Sequence, residues 1–364
     1  MVRWRCRLFT AQFGHVSWAI SRRDKMCVRR PRAIDRGASQ LYALVVHRIP
    51  VGVLGASGYA GRELCALITQ HPGLDLVFAT ANERRGERAR FGAEEITFVA
   101  TEDAALKRAE LVFSSLPHGA SKTWVDRVRL NGIRAVDLSS DMRPGSGVSG
   151  VPYGLTELAR PELAGAELIA NPGCYPTAVL LALAPLFAAQ LVQPGATINV
   201  NAASGVTGAG NSPKAELLFG EVVEDYRAYA VGNEHRHIAE MRETAHSLGA
   251  DVDILFTPHL LPVSRGILAT ITVPMTSVPD NPLAIWETFY AGERFVEVTP
   301  DIPSLRDVVR RNVARISVRQ AAGVRHPTLI VISAIDNLMK GAAGQAVQNA
   351  NLALGIAEAT GLPH

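Results

Sequence analysis

The chain has 364 residues, of which 48% are hydrophobic and 20% charged, and this length and composition suit a globular protein of two domains. Its four cysteines (Cys6, Cys27, Cys65 and Cys174) are too few for a disulfide scaffold and fit a reducing compartment, so we expect a cytoplasmic protein. The sequence has no apolar run of roughly 18 residues, so we expect no membrane span. It contains neither CxxC nor HExxH, and it predicts no metal site.

The net charge of +3 is distributed unevenly along the chain. Residues 1–50 hold ten arginines and one lysine against two aspartates, whereas the remainder holds 26 basic and 32 acidic residues. Because the body is mildly acidic, overall charge gives no reason to expect nucleic-acid binding. Residues 1–47 form a basic N-terminal extension, for which three interpretations stay open: an organelle-targeting peptide, a disordered arm, or a wrongly assigned start codon.

A glycine-rich turn follows the first predicted strand. The apolar run 51–54 predicts a short buried strand, and a helical pattern opens at Arg62. Gly55, Gly58 and Gly61 lie between them, where glycines permit a tight turn, close approach to a pyrophosphate and close helix–strand packing. This context favours a dinucleotide site over an ordinary βα turn. The cofactor contacts expected here are Gly55, Ser57, Gly58, Tyr59, Ala60 and Gly61.

The second predicted strand, residues 74–81, ends just before two arginines. An enzyme that binds NAD usually has an acidic residue at this point to bind the ribose 2′-hydroxyl. Arg84 and Arg85 instead place two guanidinium groups there, which suit the 2′-phosphate of NADP. We therefore predict NADP as the cofactor, although Glu83 leaves NAD open.

Two further βα units are predicted over residues 109–121 and 133–143. Ligands of open α/β sheets bind at the carboxyl ends of the strands, so the loops after these strands should contact ligand. We expect Pro117 to contact the cofactor and His118 to line the wall of the site. Arg143 follows the second strand and is expected to hold a substrate anion, with a surface salt bridge as the alternative.

The stretch NPGCYPTAV, residues 171–179, surrounds Cys174 with prolines and precedes an apolar helical run. Pro176 fits the first turn of a helix, which places Cys174 at or just before the helix N-terminus. Unpaired N–H groups and the helix dipole there favour a thiolate, so we expect a lowered pKa and a nucleophile that attacks a carbonyl. Cys65 lies within a helical pattern and is expected in the core.

A thiolate nucleophile needs a proton partner, and GNEHRHIAE supplies two candidates, His235 and His237. Residues two apart point in opposite directions on a strand and about 200° apart on a helix. We therefore expect only one of the two histidines to face Cys174, and the spacing does not say which.

Two basic residues suit anionic parts of a substrate. Lys214 ends the glycine-rich loop SGVTGAGNSPK, and such loops present backbone N–H groups to anions, with a flexible connection as the alternative. Arg265 lies between a proline-containing segment and an obvious strand, next to Gly266, and suits a carboxylate or phosphate clamp.

Five segments, in this order from about residue 48 to the end, resemble the N-acetyl-γ-glutamyl-phosphate reductases of arginine biosynthesis: GASGYAGREL, NPGCYPT, GNEHRH, PHLLPVSRGILAT and AIDNLMKGAAGQAVQNANLALG. The resemblance implies an α/β fold with a Rossmann-type NADP-binding domain formed by residues 48–172 and 336–364. It implies an α+β catalytic and oligomerisation domain over residues 173–335. It also implies a homodimer or homotetramer that reduces an acyl phosphate with NADPH through a cysteine thioester.

The resemblance assigns roles to single residues. It implies that Cys174 is the nucleophile, that His237 is the acid and base, and that His235 holds substrate. It further implies that Arg265 clamps substrate and that Asn337 and Gly341 lie near the nicotinamide. The sequence departs from the family at IAE after the histidines, where a proline is common, and in a longer loop before Lys214.

Three alternative functions stay open. A carrier-protein-linked aminoadipyl phosphate reductase and an aspartate-semialdehyde dehydrogenase share this plan. One methylene in a substrate is worth only about 1–3 kcal/mol of discrimination, so few residues need to change between the first of these and the glutamyl enzyme. A non-catalytic NADP-binding regulator would share the nucleotide-binding half but would have no use for Cys174, the histidine pair and Arg265 together.

Overall fold

The computed structural model describes residues 48–211 and 214–364. The basic extension, residues 1–47, lies outside the described residues, so its three interpretations remain predictions. Within the two described ranges, no helix combines the length and the apolar character that crossing a membrane would require.

The first half of the chain builds a parallel sheet. Its strands are β1 (Ile49–Leu54), β2 (Leu74–Ala79), β5 (Leu111–Ser114), β6 (Arg134–Asp137) and β7 (Leu168–Ala170), and a small hairpin of β3 (Arg88–Phe91) and β4 (Glu94–Thr97) follows β2. The parallel strands lie in the order β2-β1-β5-β6-β7. Helices α1 (Tyr59–Gln70), α2 (Ser121–Leu130) and α3 (Thr156–Leu163) connect them or pack beside them. The central strands β1 and β5 are mostly apolar because parallel strands are buried on both faces.

Helix α1 begins at Tyr59, three residues earlier than the sequence predicts. Gly58 is the extended N-cap residue, and Gly61 therefore lies in the first turn rather than before the helix. A Cβ atom on Gly61 would lie 2.3 Å from the carbonyl oxygen of Gly55, so this close approach of helix and turn requires glycine.

The second sheet is mixed and has seven strands. They are β8 (Ala196–Gly205), β9 (Arg227–Ala228), β10 (Val252–Leu261), β11 (Ile267–Pro274), β12 (Val296–Val298), β13 (Ala314–Gln320) and β14 (Thr328–Ile335), in the order β12-β13-β14-β11-β8-β10-β9. Helices α4 (Cys174–Ala188), α6 (His237–Ser247) and α7 (Leu283–Phe289) pack with the buried side chains of these strands, and α5 (Phe219–Val222) is a single turn. Side chains alternate along each strand, so one face of the sheet lies against these helices and the other is left partly exposed.

Helix α4 explains how the site cysteine is held. Its sequence CYPTAVLLALAPLFA is apolar on every side, which is typical of a fully buried helix. Trp286 and Tyr290 donate hydrogen bonds to the carbonyl oxygens of Ala182 and Leu181, and these bonds fasten α7 to α4. The N-terminus of α4 is thereby fixed relative to the second sheet.

The C-terminal segment returns to the first sheet. A π-helical turn (Met339–Ala343) leads into α8 (Gly344–Ala353), whose apolar side chains share a core with α1. Lys340 lies in this turn with no exposed side-chain surface and forms an ion pair of 2.6 Å with Glu157, which is equally buried. We propose the domain division 48–172 with 336–364 for the first unit and 173–335 for the second, because the two largest apolar cores draw mainly on these ranges.

Candidate active site

Two cavities meet at Cys174. The first, of about 390 Å³, is bordered by the turn between β1 and α1 and by the start of the C-terminal segment, and we call it the turn cavity. The second, of about 440 Å³, is bordered by residues 214–217 and 227–237, and we call it the loop cavity. The residues that line both are Cys174, Gly208, Ala209, Arg236 and His237.

Cys174 is the first residue of α4, as the position of Pro176 predicts. Gly173 before it is extended, with φ −71° and ψ 155°, and its N–H donates a 2.8 Å hydrogen bond to Glu240. Gly341 packs directly against the cysteine, because a Cβ atom at this position would lie 2.8 Å from the Cys174 Cβ. Cys174 therefore lies at a helix N-terminus, with Gly341 in close contact with its Cβ.

The prediction of a lowered pKa for Cys174 was wrong. Burial raises the pKa of the thiol above its ordinary value, and this outweighs the opposing effects of Arg143, the Tyr175 backbone N–H and Arg236. Desolvation disfavours the charged form of any acid, and at this site it exceeds the help from the helix N-terminus. The thiol consequently depends on a nearby base for its activation.

Both predicted histidines line the loop cavity with Cys174, and only His237 also lines the turn cavity; the expectation that one of them faces Cys174 stays a prediction. Helix α6 begins at His237, and His235 lies in the turn before it, so neither strand nor helix geometry governs the pair. Their ring centroids are 4.7 Å apart, and the His237 backbone N–H donates to His235 Nδ1 at 3.2 Å. The ring of Tyr175 packs edge-on against both.

Both imidazoles are neutral near pH 7. Burial, followed by the charge of Arg236, lowers the pKa of His235 to about 4. Burial lowers the pKa of His237 well below its ordinary value, and Arg143 acts in the same direction. A neutral imidazole can accept a proton, which is what a buried thiol requires.

Arg143 lines the turn cavity and is also bonded to the protein, and the expectation that it holds a substrate anion stays a prediction. Its Nε and Nη2 donate to the carbonyl oxygens of Asn171 and Leu138, at 2.8 and 2.6 Å. Its Nη1 lies 3.3 Å from a Glu240 oxygen and 3.4 Å from His237 Nε2. The alternative of a surface salt bridge does not hold, because only 5% of the Arg143 side chain is exposed. The guanidinium holds elements together because all three of its nitrogens find acceptors.

Sequence reasoning missed Glu240, which joins several of these groups. Its carboxylate accepts hydrogen bonds from the Gly173 N–H at 2.8 Å, from the Tyr153 hydroxyl at 2.7 Å and from Arg143. It therefore connects α6 to the start of α4. The residue stands three positions after His237, one helical turn away, and that spacing was the available signal.

Sequence reasoning also missed Arg236, between the two histidines. Its side chain is exposed and lines both cavities next to Cys174. Across residues 48–211 and 214–364, the structure gives its guanidinium neither a hydrogen bond nor an ion pair. A solvated cation at the junction of two cavities is suited to an anion that enters them.

Of the two other predicted anion ligands, Lys214 and Arg265, one lines a cavity and the other does not. Lys214 lines the loop cavity. Arg265 lines neither cavity, which differs from the predicted substrate clamp. It forms ion pairs with Asp336, at 3.2 Å, and with Glu63 on α1, and 13% of its side chain is exposed. Because two carboxylates compensate its charge, Arg265 ties α1 to the second sheet in this structure.

Most of the predicted cofactor contacts line the turn cavity: Gly55, Ser57, Gly58, Tyr59, Ala60, Pro117, Asn337 and Gly341. Gly61 lies behind the turn and does not line it. The Asn337 side chain accepts from the Gly266 N–H at 2.7 Å and donates to Thr207 Oγ1 at 2.9 Å, so it braces the wall. His118 also lines this cavity, and burial, with Arg236 and Arg143, lowers its pKa to about 4.

Arg84 and Arg85 lie outside the turn cavity, after β2. Arg84 forms an ion pair with Glu87 at 2.6 Å in a partly exposed position. The adenosine end of a dinucleotide would have to extend along the end of β2 to reach this pair. Their contact with a 2′-phosphate therefore stays a prediction.

The turn between β1 and α1 fits a dinucleotide. Gly55 has φ +77°, and a Cβ atom there would lie 2.5 Å from the Ser115 carbonyl oxygen, so the turn is as tight as this position permits. A Cβ on Gly58 would meet nothing closer than 3.7 Å, which leaves room for a phosphate near the helix N-terminus. The first turn of α1 carries no acidic residue that would repel it.

Two family models match the chain. The model of the semialdehyde dehydrogenase NAD-binding domain matches residues 50–166, and that of the semialdehyde dehydrogenase dimerisation domain matches residues 174–337. Together they confirm the predicted fold class, a Rossmann-type nucleotide-binding unit followed by an α+β unit.

Curated relatives match over most of their length. An N-acetyl-γ-glutamyl-phosphate reductase from Desulforudis audaxviator is 41% identical over 342 residues, which cover 86% of this chain and 98% of the relative. One from Salinispora tropica is 43% identical over 333 residues, with 86% and 97% covered.

Solved structures match at the level of the fold. An aspartate semialdehyde dehydrogenase II from Vibrio cholerae, complexed with ASA, aligns with a TM-score of 0.70 and 20% identity, covering 85% of this chain and 99% of its own. An aspartate semialdehyde dehydrogenase with NADP from Candida albicans aligns with a TM-score of 0.60 and 16% identity, covering 84% and 98%.

Proposed function

The chain belongs to the N-acetyl-γ-glutamyl-phosphate reductase family, and on this premise we propose that it reduces N-acetyl-γ-glutamyl phosphate with NADPH to N-acetylglutamate 5-semialdehyde and phosphate in arginine biosynthesis. One observation carries the proposal. Cys174 lies where the turn cavity meets the loop cavity, so a carbonyl bound to its sulfur has one cavity on each side. The dinucleotide occupies the turn cavity and the acyl substrate occupies the loop cavity.

The covalent steps use the residues of this chain. His237, neutral in its buried position, accepts the proton of the Cys174 thiol, and the sulfur attacks the acyl carbonyl. The bond from carbon to the phosphate oxygen then breaks, phosphate leaves, and Cys174 carries a thioester. NADPH supplies the hydride that reduces this carbonyl. The resulting hemithioacetal loses its carbon–sulfur bond, the aldehyde is released, and a proton returns to the sulfur from His237.

The other residues position these groups. Arg143 and Glu240 hold the starts of α4 and α6 together, which fixes Cys174 relative to His237. Backbone N–H groups at the start of α4 are suited to stabilise the oxyanion that forms in each addition. Arg236, with Lys214 across the loop cavity, binds the anionic groups of the acyl phosphate. His235 contacts substrate beside them.

The NAD-binding domain model supports a nicotinamide dinucleotide, and we propose NADP as the specific cofactor. The two arginines after β2 and the Candida albicans relative, which was solved with NADP, support this choice. We also propose a homodimer or homotetramer in the cytoplasm, with a small-molecule substrate as the other partner. The dimerisation-domain model over residues 174–337 supports the assembly.

The function is tested with the purified full chain in the aldehyde-oxidising direction. N-acetylglutamate semialdehyde and aspartate semialdehyde are supplied separately with phosphate and NADP⁺, and NADPH is followed by its absorbance. Phosphate-dependent reduction of NADP⁺ with the first aldehyde alone is expected. The Cys174→Ser variant should bind NADPH but lose nearly all turnover, with Cys65→Ala as the matched cysteine control. Activity with aspartate semialdehyde alone, or robust turnover by Cys174→Ser, would contradict the proposal.

Cofactor choice has its own test. Replacing Arg84 and Arg85 together by alanine should weaken NADPH more than NADH, because two charges that face a 2′-phosphate are lost. The control replaces Arg88 and Arg90, two exposed arginines on the neighbouring strand β3, in the same way. The ratio of kcat/KM for the two cofactors is measured, and an unchanged ratio in the first variant would place the 2′-phosphate elsewhere.

A further inference from the structure

His118 lies in the loop between β5 and α2, and this exposed loop is held by three hydrogen bonds from the loop after β6. The backbone N–H of Ser140 donates to His118 Nδ1 at 2.8 Å. The Asp141 carboxylate accepts from the N–H groups of Gly119 and Lys122, at 2.8 and 3.1 Å. The imidazole therefore has a fixed orientation although it lies at the surface of a cavity.

The bond from Ser140 also determines which ring nitrogen of His118 carries the proton. A backbone N–H needs an acceptor, so Nδ1 is unprotonated and the neutral ring carries its hydrogen on Nε2. The ring is neutral near pH 7, because burial and the charges of Arg236 and Arg143 lower its pKa to about 4. Within residues 48–211 and 214–364, Nε2 has no hydrogen-bond partner. His118 therefore offers an unused N–H donor to the turn cavity that it lines.

The two cavities differ in charge. Among the described residues, those that line the turn cavity include no aspartate or glutamate, and the charged ones are Arg143 and Arg236. The loop cavity, by contrast, has Glu216 and Glu234 beside its three basic residues. Since carboxylates repel an anion and guanidinium groups attract it, a group with two negative charges is better placed on the turn-cavity side of Cys174.

His118 and both arginines lie at the end of the turn cavity where Cys174 lies. Arg143 Nη1 is 3.4 Å from His237 Nε2, and Arg236 lines both cavities where they meet. The charges of the two arginines lower the pKa of His118, and His118 in turn contributes to the lowered pKa of His237. These four groups therefore lie close together beside the thiol.

We propose that the Nε2–H of His118 binds the phosphate group of the acyl phosphate, together with Arg236, on the turn-cavity side of Cys174. The inference rests on the proposed function, because phosphate is a product of that reaction. As the bond from the acyl carbon to oxygen breaks, its electron pair leaves with the phosphate, where negative charge grows. Donors that are already in place stabilise this charge without reorganisation. The carboxylate of the substrate is then left to Lys214 in the loop cavity.

The test measures the KM of inorganic phosphate in the aldehyde-oxidising direction with the full chain. His118→Ala should raise this KM by at least about tenfold, the loss expected when a hydrogen bond to a charged group is removed. The KM values of NADP⁺ and of N-acetylglutamate semialdehyde should change little. His246→Ala is the matched control, since His246 is an exposed histidine of α6 that lines neither cavity, and it should keep the constants of the wild type.

Two further variants separate phosphate binding from a role in bracing the loop. An asparagine side chain can accept from the Ser140 N–H as Nδ1 does, but it is too short to place a donor where Nε2 lies. A glutamine side chain is longer and can place its amide N–H there. His118→Asn should therefore behave like His118→Ala, whereas His118→Gln should recover affinity for phosphate. Recovery by asparagine but not by glutamine would show that the ring only braces the loop.

Two other results would overturn the inference. An unchanged KM of phosphate in His118→Ala would remove the imidazole from the phosphate. A rise in the KM of NADP⁺ in place of that of phosphate would put the ring against the dinucleotide instead. Far-UV circular dichroism checks the fold of each variant, and if His118→Ala is unfolded, the comparison of His118→Asn with His118→Gln decides.

A readout that needs no activity keeps this test apart from that of the function. Inorganic phosphate beside the thiol should slow the alkylation of Cys174 by iodoacetamide, followed by mass spectrometry at an ionic strength held constant with KCl. The phosphate concentration that halves the rate should be at least about tenfold higher in His118→Ala than in the wild type. Such protection in a protein without reductase activity would contradict the proposed function and leave the phosphate site standing. A wild type that phosphate does not protect would contradict the phosphate site, whatever its activity.

Discussion

At the scale of single residues, the site depends on charges that burial has altered. The Cys174 thiol has a raised pKa and the His237 imidazole a lowered one, so both groups are neutral where the reaction begins. A nucleophile of this kind is activated by proton transfer at the moment of attack rather than by resting as a thiolate. Arg236 lines both cavities beside these two groups, and its exposed side chain is suited to an anion that enters them.

The acidic limb of the pH profile follows from the lowered pKa of His237. A base whose pKa is lowered stays neutral to a lower pH, so kcat/KM should hold through pH 6.5 and fall only below it.

His237→Ala should lower kcat more than His235→Ala, because His237 Nε2 lies beside the start of α4. The pH profiles of both variants are measured. The reverse ranking would exchange the two roles, and a wild-type limb above pH 6.5 would contradict the lowered pKa.

Arg236→Ala should raise KM for the acyl substrate by about 10- to 100-fold, because a charge-assisted hydrogen bond to an anion is worth roughly 1.5–3 kcal/mol. NADPH affinity, measured by fluorescence titration, should change much less. Arg242→Ala is the matched control, since Arg242 is an exposed arginine on α6 that lines neither cavity. Equal KM values in the two variants would remove Arg236 from the substrate side.

At the scale of elements, three chain segments converge on one point. The start of α4, the start of α6 and the π-helical turn after β14 approach so closely that glycine is needed twice. A Cβ on Gly173 would lie 2.7 Å from His237 Nε2, and one on Gly341 would lie 2.8 Å from the Cys174 Cβ. The geometry of nucleophile and base is therefore set by backbone packing, with Glu240 and Arg143 as the polar links.

Gly341→Ala should displace Cys174 and lower kcat by about 100-fold, since a misplacement of about 1 Å can cost that much. The protein should stay folded because the added volume is one methyl group. Gly220→Ala is the control, as no atom lies within 4 Å of its Cβ position and its φ is negative. Turnover and Cys174 alkylation rates are compared. Normal kinetics in Gly341→Ala would show that the cysteine tolerates a shift.

At the scale of the whole molecule, a polar network joins the C-terminal segment to the rest. Lys340 pairs with Glu157, Gln348 bonds to both Glu157 and Glu358, and Arg160 pairs with Glu358 and Glu293. Three of these carboxylates lie close enough together to hold a metal ion, but Lys340 and Arg160 already compensate their charge. The network fastens α8 and the π-helical turn before it to α3.

Lys340→Met should lower the free energy of unfolding by about 3–5 kcal/mol, because it leaves the Glu157 carboxylate buried without its cation. Lys122→Met is the matched control. It removes an exposed i,i+4 pair with Asp126, for which a cost of about 0.5 kcal/mol or less is expected. Denaturant unfolding measures both. If both variants lost a similarly small amount of unfolding free energy, Glu157 would have to bind another partner or become protonated in Lys340→Met.

The sequence by itself determined the elements whose signals are local. The strand–glycine–helix turn, the helix start at Cys174 and the order of the family segments all depend on residues close together in the chain. Spacing also indicated the residues of the β1–α1 turn that line the turn cavity, because a glycine turn has one backbone geometry wherever it occurs. Its errors at this scale were small, such as the start of α1 at Tyr59 rather than Arg62.

Only the tertiary structure decided the charges and partners. The pKa of Cys174, the pairing of Arg265 with Glu63 and Asp336, and the engagement of Arg143 all depend on residues from distant segments. Burial and ion pairing are sums over neighbours in space, and spacing along the chain does not contain them. The hydrogen bonds of Glu240 and the position of Arg236 at both cavities likewise depend on how α6 and the turn before it pack against α4.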